Sequence, residues 1–298
     1  MPKPVIDIAI GLLFHRGKVL VGWREAKQHQ GNKYEFPGGK VEQQESPEEA
    51  CRREIYEEVG IGLKQWYAFD CIQHEYDDIV VNLHLFYAYV PENLLTLIQQ
   101  PWTWYSREQL TQLNFPKAND CIIQRLVWPN FIKISHQLSE FQPDQHELFY
   151  WRTETEQLQT QDLFQYSPDD LEKLILNIEA FQQLHSDLKP LIKTLHLKQY
   201  QLMQCRKGDL QRGTRYIAAC HDLVALQHAE QVGCDAVLIS PIQTTQTHPE
   251  AKALGWQILA EWAKQTNVLI FALGGLHPDD LMKAQQHGAY GIAGIRNF

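Results

Sequence analysis

The chain has 298 residues, which leaves room for two domains of ordinary size, each with its own core. A formal charge of −9 and a pI near 5.8 argue against a nucleic-acid polymer as partner, although an acidic protein still handles a polyphosphate where metal ions mediate the approach. The six cysteines, Cys51, Cys71, Cys121, Cys205, Cys220 and Cys234, contain no C-x-x-C pair and no zinc spacing, so they read as reduced thiols. The apolar run near the N-terminus is too short to span a bilayer and lacks a small-residue cleavage site; no membrane partner is expected, and the cytoplasm is the expected compartment.

Residues 5–14 and 19–23 are apolar and β-branched, and His15-Arg16-Gly17-Lys18 between them predicts a hairpin. Arg24 leads into a polar loop with His29, and KYEFPGG (33–39) returns toward a helix; its Pro and two Gly let backbone groups point at a ligand. The helix runs between two clear signals. Ser46-Pro47-Glu48-Glu49 has the form of a capping box with proline at the first helical position, and Gly60 is a natural stop. At about 100° per residue, Glu54, Glu57 and Glu58 share an arc of roughly 100°, beside an apolar stripe of Cys51, Ile55 and Val59. Like charges this close need solvent, a proton or a cation, and hard oxygen ligands at this spacing suit Mg²⁺ or Mn²⁺ bridging to substrate phosphates. Residues 66–74, 79–90 and 102–105 predict further strands, and a last helix is expected over 120–127. Taken alone, Asn119 reads as the N-cap of that helix.

From Gly39 the chain reads G-x5-E-x7-R-E-U-x-E-E-x-G-U, with U a bulky aliphatic residue and no position missed. The stretch is identified as a Nudix box, and residues 7–126 resemble the MutT type of Nudix hydrolase. The likeness rests on NKYEFPGGKVE (32–42), the box itself and FPKAN (115–119). It implies an α/β/α sandwich with a mixed sheet and hydrolysis of 8-oxo-dGTP to the monophosphate and pyrophosphate, that is, nucleotide-pool sanitation. It implies that Gly38 (by its carbonyl), Glu54, Glu57 and Glu58 hold the metal. Glu45 and Arg53 would pair to fix the glycine loop, Gly39 included. Arg24, His29 and the 35–38 loop (Glu35, Phe36, Pro37, Gly38) would contact the nucleotide, and Asn119 would read the base. An amide both donates and accepts, which matches the N7 hydrogen beside O6 in 8-oxoguanine, whereas guanine offers two acceptors. Two positions depart from the family: Ile79 stands for a base-flanking arginine, and Ile98 for an acidic residue in the loop before the last strand. Base selection is thereby left to fewer groups, and Glu54 becomes the candidate base.

Beyond Trp128-Pro129, seven short apolar segments predict strands: 131–135, 148–152, 194–197, 216–220, 236–240, 268–273 and 291–295. Helical patterns over 168–184, 222–232, 255–265 and 278–287 separate most of them, which argues for a parallel sheet or barrel. AACHD (218–222), GCDAVLISPIQTTQTHP (233–249), FALGGLHPDDL (271–281) and HGAYGIAGIRNF at the end resemble the thiamin-phosphate synthase (ThiE/TenI) family of barrels. That likeness implies a phosphate site at Gly274, Gly275 and Gly294 in the last two barrel loops. Residues 129–298 are fewer than the roughly 200 of a complete eight-unit barrel, so an incomplete TIM-type barrel lacking one βα unit is expected. The Asn-Asp pair that would hold magnesium pyrophosphate is absent, and Leu195-His196-Leu197-Lys198 lacks the acidic residue that would follow. A phosphate-binding or structural domain is expected rather than a synthase. Two alternatives stay open for the whole chain: a Nudix hydrolase of another diphosphate, such as a thiamin diphosphate derivative, or a metabolite-sensing regulator.

Overall fold

The computed structural model describes residues 3–24, 31–153, 160–245, 252–296 and 298. The chain divides into two compact units, Met1–Trp128 and Pro129–Phe298.

The first unit is built on β1 (Val5–His15), whose continuous apolar run is buried on both faces from Ala9 to Phe14. Alternate residues serve different layers, because strand side chains point to opposite sides in turn. Ala9 and Leu13 pack in the cluster under α1 (Pro47–Val59), with Cys51, Ile55 and Val59, while Ile10, Leu12 and Phe14 pack in the cluster that holds Ile122 and Leu126 of α2 (Asp120–Leu126). A helix on each face of one sheet follows. The sheet includes β2 (Lys18–Arg24), β3 (Lys33–Glu35), β4 (Gly38–Lys40), β5 (Tyr67–Glu75), β6 (Val80–Tyr89) and β7 (Thr103–Tyr105), along the path β3-β2-β1-β6-β5, with β4 paired to β1 and β7 to β2. It is mixed: β1 and β6 run parallel over ten residue pairs, and β1 meets β2 and β4 antiparallel.

The second unit is a closed parallel barrel, in the order β10-β11-β12-β13-β14-β15-β8-β9. Its strands are β8 (Phe131–Ser135), β9 (Leu148–Trp151), β10 (Leu174–Asn177), β11 (Thr194–Leu197), β12 (Arg215–Cys220), β13 (Ala236–Ile239), β14 (Leu269–Leu273) and β15 (Gly291–Gly294). The expectation of seven strands and a missing βα unit is corrected here. The eighth strand is β10, which lies inside the segment read as one helix over 168–184. Ser167 and Asp170 form a capping box that starts α3 (Pro168–Leu171), but the helix stops after one turn; Leu174-Ile175-Leu176-Asn177 then runs fully buried between β9 and β11, and Asn177 caps α4 (Ile178–Gln182). A short strand buried on both faces carries no period-two alternation, so its apolar residues merge with the helical spacing around them. Eight strands fit this length because the connections are short: the turn Leu138–Glu140 is the regular element between β8 and β9, and α5 (Gln199–Leu202) has four residues. Longer helices, α6 (Leu223–Val232) and α7 (Gly255–Ala263), cover later strands.

Candidate active site

The carboxylate helix is placed by its own ends and its stripe. The Ser46 side chain accepts from the Glu49 amide and Glu49 Oε2 accepts from the Ser46 amide at 2.8 Å; at the other end Gly60 adopts φ 81°. Cys51, Ile55 and Val59 bury one side, which leaves Glu54, Glu57 and Glu58 toward the β4 edge. Gly38 and Gly39 are required by close approach. Gly38 lies at φ 149° with the Ala9 carbonyl where a Cβ would go, and the Glu54 carboxylate occupies the corresponding space beside Gly39.

Arg53 organises the acids. Its Nη2 pairs with Glu45 Oε1 at 2.7 Å and donates to the Lys40 carbonyl at 3.1 Å, which ties β4 and its two glycines to the helix. Its Nη1 donates to Glu54 Oε1 at 2.8 Å and to Glu57 Oε2 at 3.2 Å. Glu58 is held differently, with Oε2 accepting the Gly38 amide at 3.0 Å. Loss of water around its carboxyl group pushes Glu58 up to about 7, although the residue as a whole is exposed; the Gly38 amide opposes this, and the nearby Glu54 and Glu35 charges add to it. Arg24 on β2 closes the group by pairing with Glu35 on β3, Nε to Oε2 at 2.7 Å.

With Arg53 on Glu54 and Glu57, and the Gly38 amide on Glu58, no three acidic, His or Cys side chains among the described residues converge as a ready ion cage. The donor set still fits a hard divalent cation. Glu54 Oε2, Glu57 Oε1 and Glu58 Oε1 lie outside these bonds, and a carboxylate whose charge is disfavoured by its neighbours is a group whose ionised form a cation stabilises.

The remaining predicted residues fall in three places. Phe36 and Pro37 are buried, with Phe36 stacked on Phe115 at 5.0 Å and the Pro37 carbonyl accepting from the Gly11 amide. Asn119 is buried at the start of α2, and its side chain makes no capping bond. His29 lies outside the described residues. Ile79 and Ile98 are half-buried against the two cores, so the departures from the family are filled by packing.

Trp102 carries a role that its sequence context does not signal. Its Nε1 donates to the Glu58 carbonyl at 2.9 Å while its ring sits in the core beneath α1, anchoring the last turn of the carboxylate helix. In the barrel, Gly274, Gly275 and Gly294 line a cavity of about 880 Å³ together with Arg152, Lys198, His221 and Arg296. Arg152 and Lys198 directly follow the strands β9 and β11, the positions that face the mouth of such a barrel, and that placement is the signal that finds them.

Residues 9–125 match the family model described as NUDIX domain. The 8-oxo-dGTP diphosphatase of Escherichia coli K12 is 33% identical over 129 residues, which cover 41% of this chain and 95% of that protein. The chain belongs to the Nudix family. Another relative, the CTP pyrophosphohydrolase of Escherichia coli K12, is 32% identical over 118 residues, covering 39% of this chain and 86% of its own length. The Nudix domain is followed by a match to the thiamine monophosphate synthase model over residues 187–298. A thiamine-phosphate synthase of Prochlorococcus marinus MIT 9303 is 36% identical over 86 residues, 29% of this chain and 23% of that protein. The chain spans less than half the length of the barrel relatives that it matches.

Proposed function

We propose that the Nudix domain is a divalent-cation-dependent nucleoside triphosphate pyrophosphohydrolase that converts 8-oxo-dGTP to 8-oxo-dGMP and pyrophosphate, and so removes an oxidised precursor before it is copied into DNA. The observation that carries this reading is the carboxylate helix docked on Gly38 and Gly39 of β4, in a Nudix domain aligned over 95% of an 8-oxo-dGTP diphosphatase. The base is assigned to Asn119, whose buried amide is not spent on capping α2. Because another relative acts on CTP, the choice of base rests on Asn119 and its surroundings rather than on identity.

Gly38, Glu54, Glu57 and Glu58 would hold Mg²⁺ or Mn²⁺. When bound, the ion supplies neutralisation of the polyphosphate charge and polarisation of the attacking water. The protein's own contribution is positioning. Arg53 fixes Glu54 and Glu57 and ties both to the glycine loop, so the carboxylates meet the phosphates in a set geometry. Glu54 accepts the proton of the attacking water, and its place against Gly39 keeps it beside the loop that the phosphates follow. Water attacks phosphorus directly and pyrophosphate leaves in line; no covalent enzyme intermediate is required.

The test is Glu57→Gln. Glu57 is more than half exposed, so the fold tolerates the change, and pyrophosphate release is expected to fall more than about a hundredfold with the melting temperature preserved. Unchanged turnover in that variant would remove Glu57 from the metal set.

A further inference from the structure

A second group of reactive side chains lies on the sheet of the first unit, apart from the acids of α1. Cys71 on β5 stands directly opposite His84 on β6, and Asn82 on β6 stands opposite Asp7 on β1. Cys71 Sγ is 3.7 Å from His84 Nδ1, and His84 Nε2 is 2.9 Å from Asp7 Oδ1. Asn82 Nδ2 donates to the same Asp7 oxygen at 3.1 Å, and Gln73 Nε2 donates to Asn82 Oδ1 at 3.0 Å. Cys71 is exposed, as is nearly half of the Asp7 side chain.

The hydrogen positions follow from Asp7. The bonds from His84 and Asn82 hold its carboxyl below the usual range, so it is ionised and can only accept. His84 Nε2 must therefore carry the hydrogen of that bond. In the neutral ring Nδ1 then presents a lone pair to Cys71 Sγ, the arrangement in which an imidazole takes a thiol proton and a carboxylate stabilises the resulting cation. Three strands in fixed register hold the three side chains in line. No such relay is present at Cys121, the other exposed cysteine, whose Sγ donates to the Ala118 carbonyl and whose thiol is pushed up by burial.

We propose that Cys71 is a thiolation site, at which a His84-activated thiolate exchanges with a low-molecular-weight disulfide. The Cys71 thiolate attacks one sulfur of the disulfide, the S–S bond breaks, and the departing thiolate takes the proton from the His84 imidazolium. The products are a mixed disulfide on Cys71 and one free thiol: the protein sulfur is oxidised, and half of the small disulfide is reduced.

The test uses the full chain at pH 6.5, where an unassisted thiol is about 1% ionised. Carbamidomethylation by iodoacetamide is followed at each cysteine by peptide mass spectrometry, with N-acetylcysteine as the free-thiol reference. Cys71 is expected to react at least about tenfold faster than the reference, and both H84Q and D7N are expected to lower that rate to within about threefold of it. Oxidised glutathione should add one glutathionyl group, at Cys71, which dithiothreitol removes. A wild-type rate at or below that of the free thiol overturns the proposal without recourse to any variant, as does failure to form the mixed disulfide. A fast rate that persists in both folded variants overturns the roles of His84 and Asp7.

Discussion

At the scale of single residues, the candidate site joins groups that are poor neighbours in isolation. Glu58 carries its carboxyl beside the Glu54 and Glu35 charges, and it keeps its place through the Gly38 amide and the nearby Arg24. Asn119 has the opposite character, a buried neutral amide whose donor and acceptor would select the base in the proposed reaction. Replacing Asn119 with Ala is expected to lower the preference for 8-oxo-dGTP over dGTP by about 1–3 kcal/mol, roughly 5- to 150-fold in the ratio of kcat/KM, with a smaller effect on dGTP itself. An unaltered ratio would remove Asn119 from base reading. Glu58 is legible because it stands at a fixed offset in the Nudix box, whereas Asn119 is singled out only by the likeness of FPKAN to the MutT type. Trp102 was not: its bond goes to a backbone carbonyl, and no spacing in the chain announces that partner.

Among elements, α1 was the most legible, since its cap, proline, apolar stripe and terminal glycine all agree within a few residues. Its anchoring by Trp102 has a measurable consequence. Trp102→Phe keeps most of the ring but loses the bond to the Glu58 carbonyl, and should cost about 0.5–1.5 kcal/mol in denaturant unfolding while lowering kcat more than it raises KM. An equal effect on stability with no change in turnover would make the anchor purely structural. The strand β10 marks the limit of pattern reading: flanked by a one-turn helix and a five-residue helix, its four buried residues look like parts of one amphipathic run. Strand β11 adds a pH-sensitive group. His196, stacked on Tyr150 with a ring-to-hydroxyl distance of 3.0 Å, is lowered to about 3 by burial, with the Arg152, Lys198 and His221 charges adding to the shift. The unfolded chain takes up this proton below about 6.5, whereas the folded chain resists until about 3. His196 therefore destabilises the barrel progressively as pH falls from 6.5 toward 3, and the penalty is absent above that window. His196→Gln should flatten the acid limb of the melting-temperature profile, and an identical slope in the variant would contradict this.

For the whole molecule, the two compact units hold the acids of α1 and the barrel cavity in separate parts of the chain. Each unit has its own core, and the acids of α1 and the side chains bonded to them all lie in the first unit. A chain ending at Trp128 should accordingly fold and keep pyrophosphate release within about threefold of the full protein. Loss of activity in a folded fragment would mean that the barrel completes the site. Length alone underestimates the barrel, because the rule of about 200 residues assumes helical crossovers throughout, and those between β8 and β12 are reduced here to short turns of helix. The most direct test of the proposed activity is pyrophosphate release with Mg²⁺ from 8-oxo-dGTP and dGTP in parallel, expressed as the ratio of kcat/KM. The proposal predicts a strong preference for the oxidised nucleotide, abolished without the divalent cation. A ratio near one, or no release from either, would contradict it.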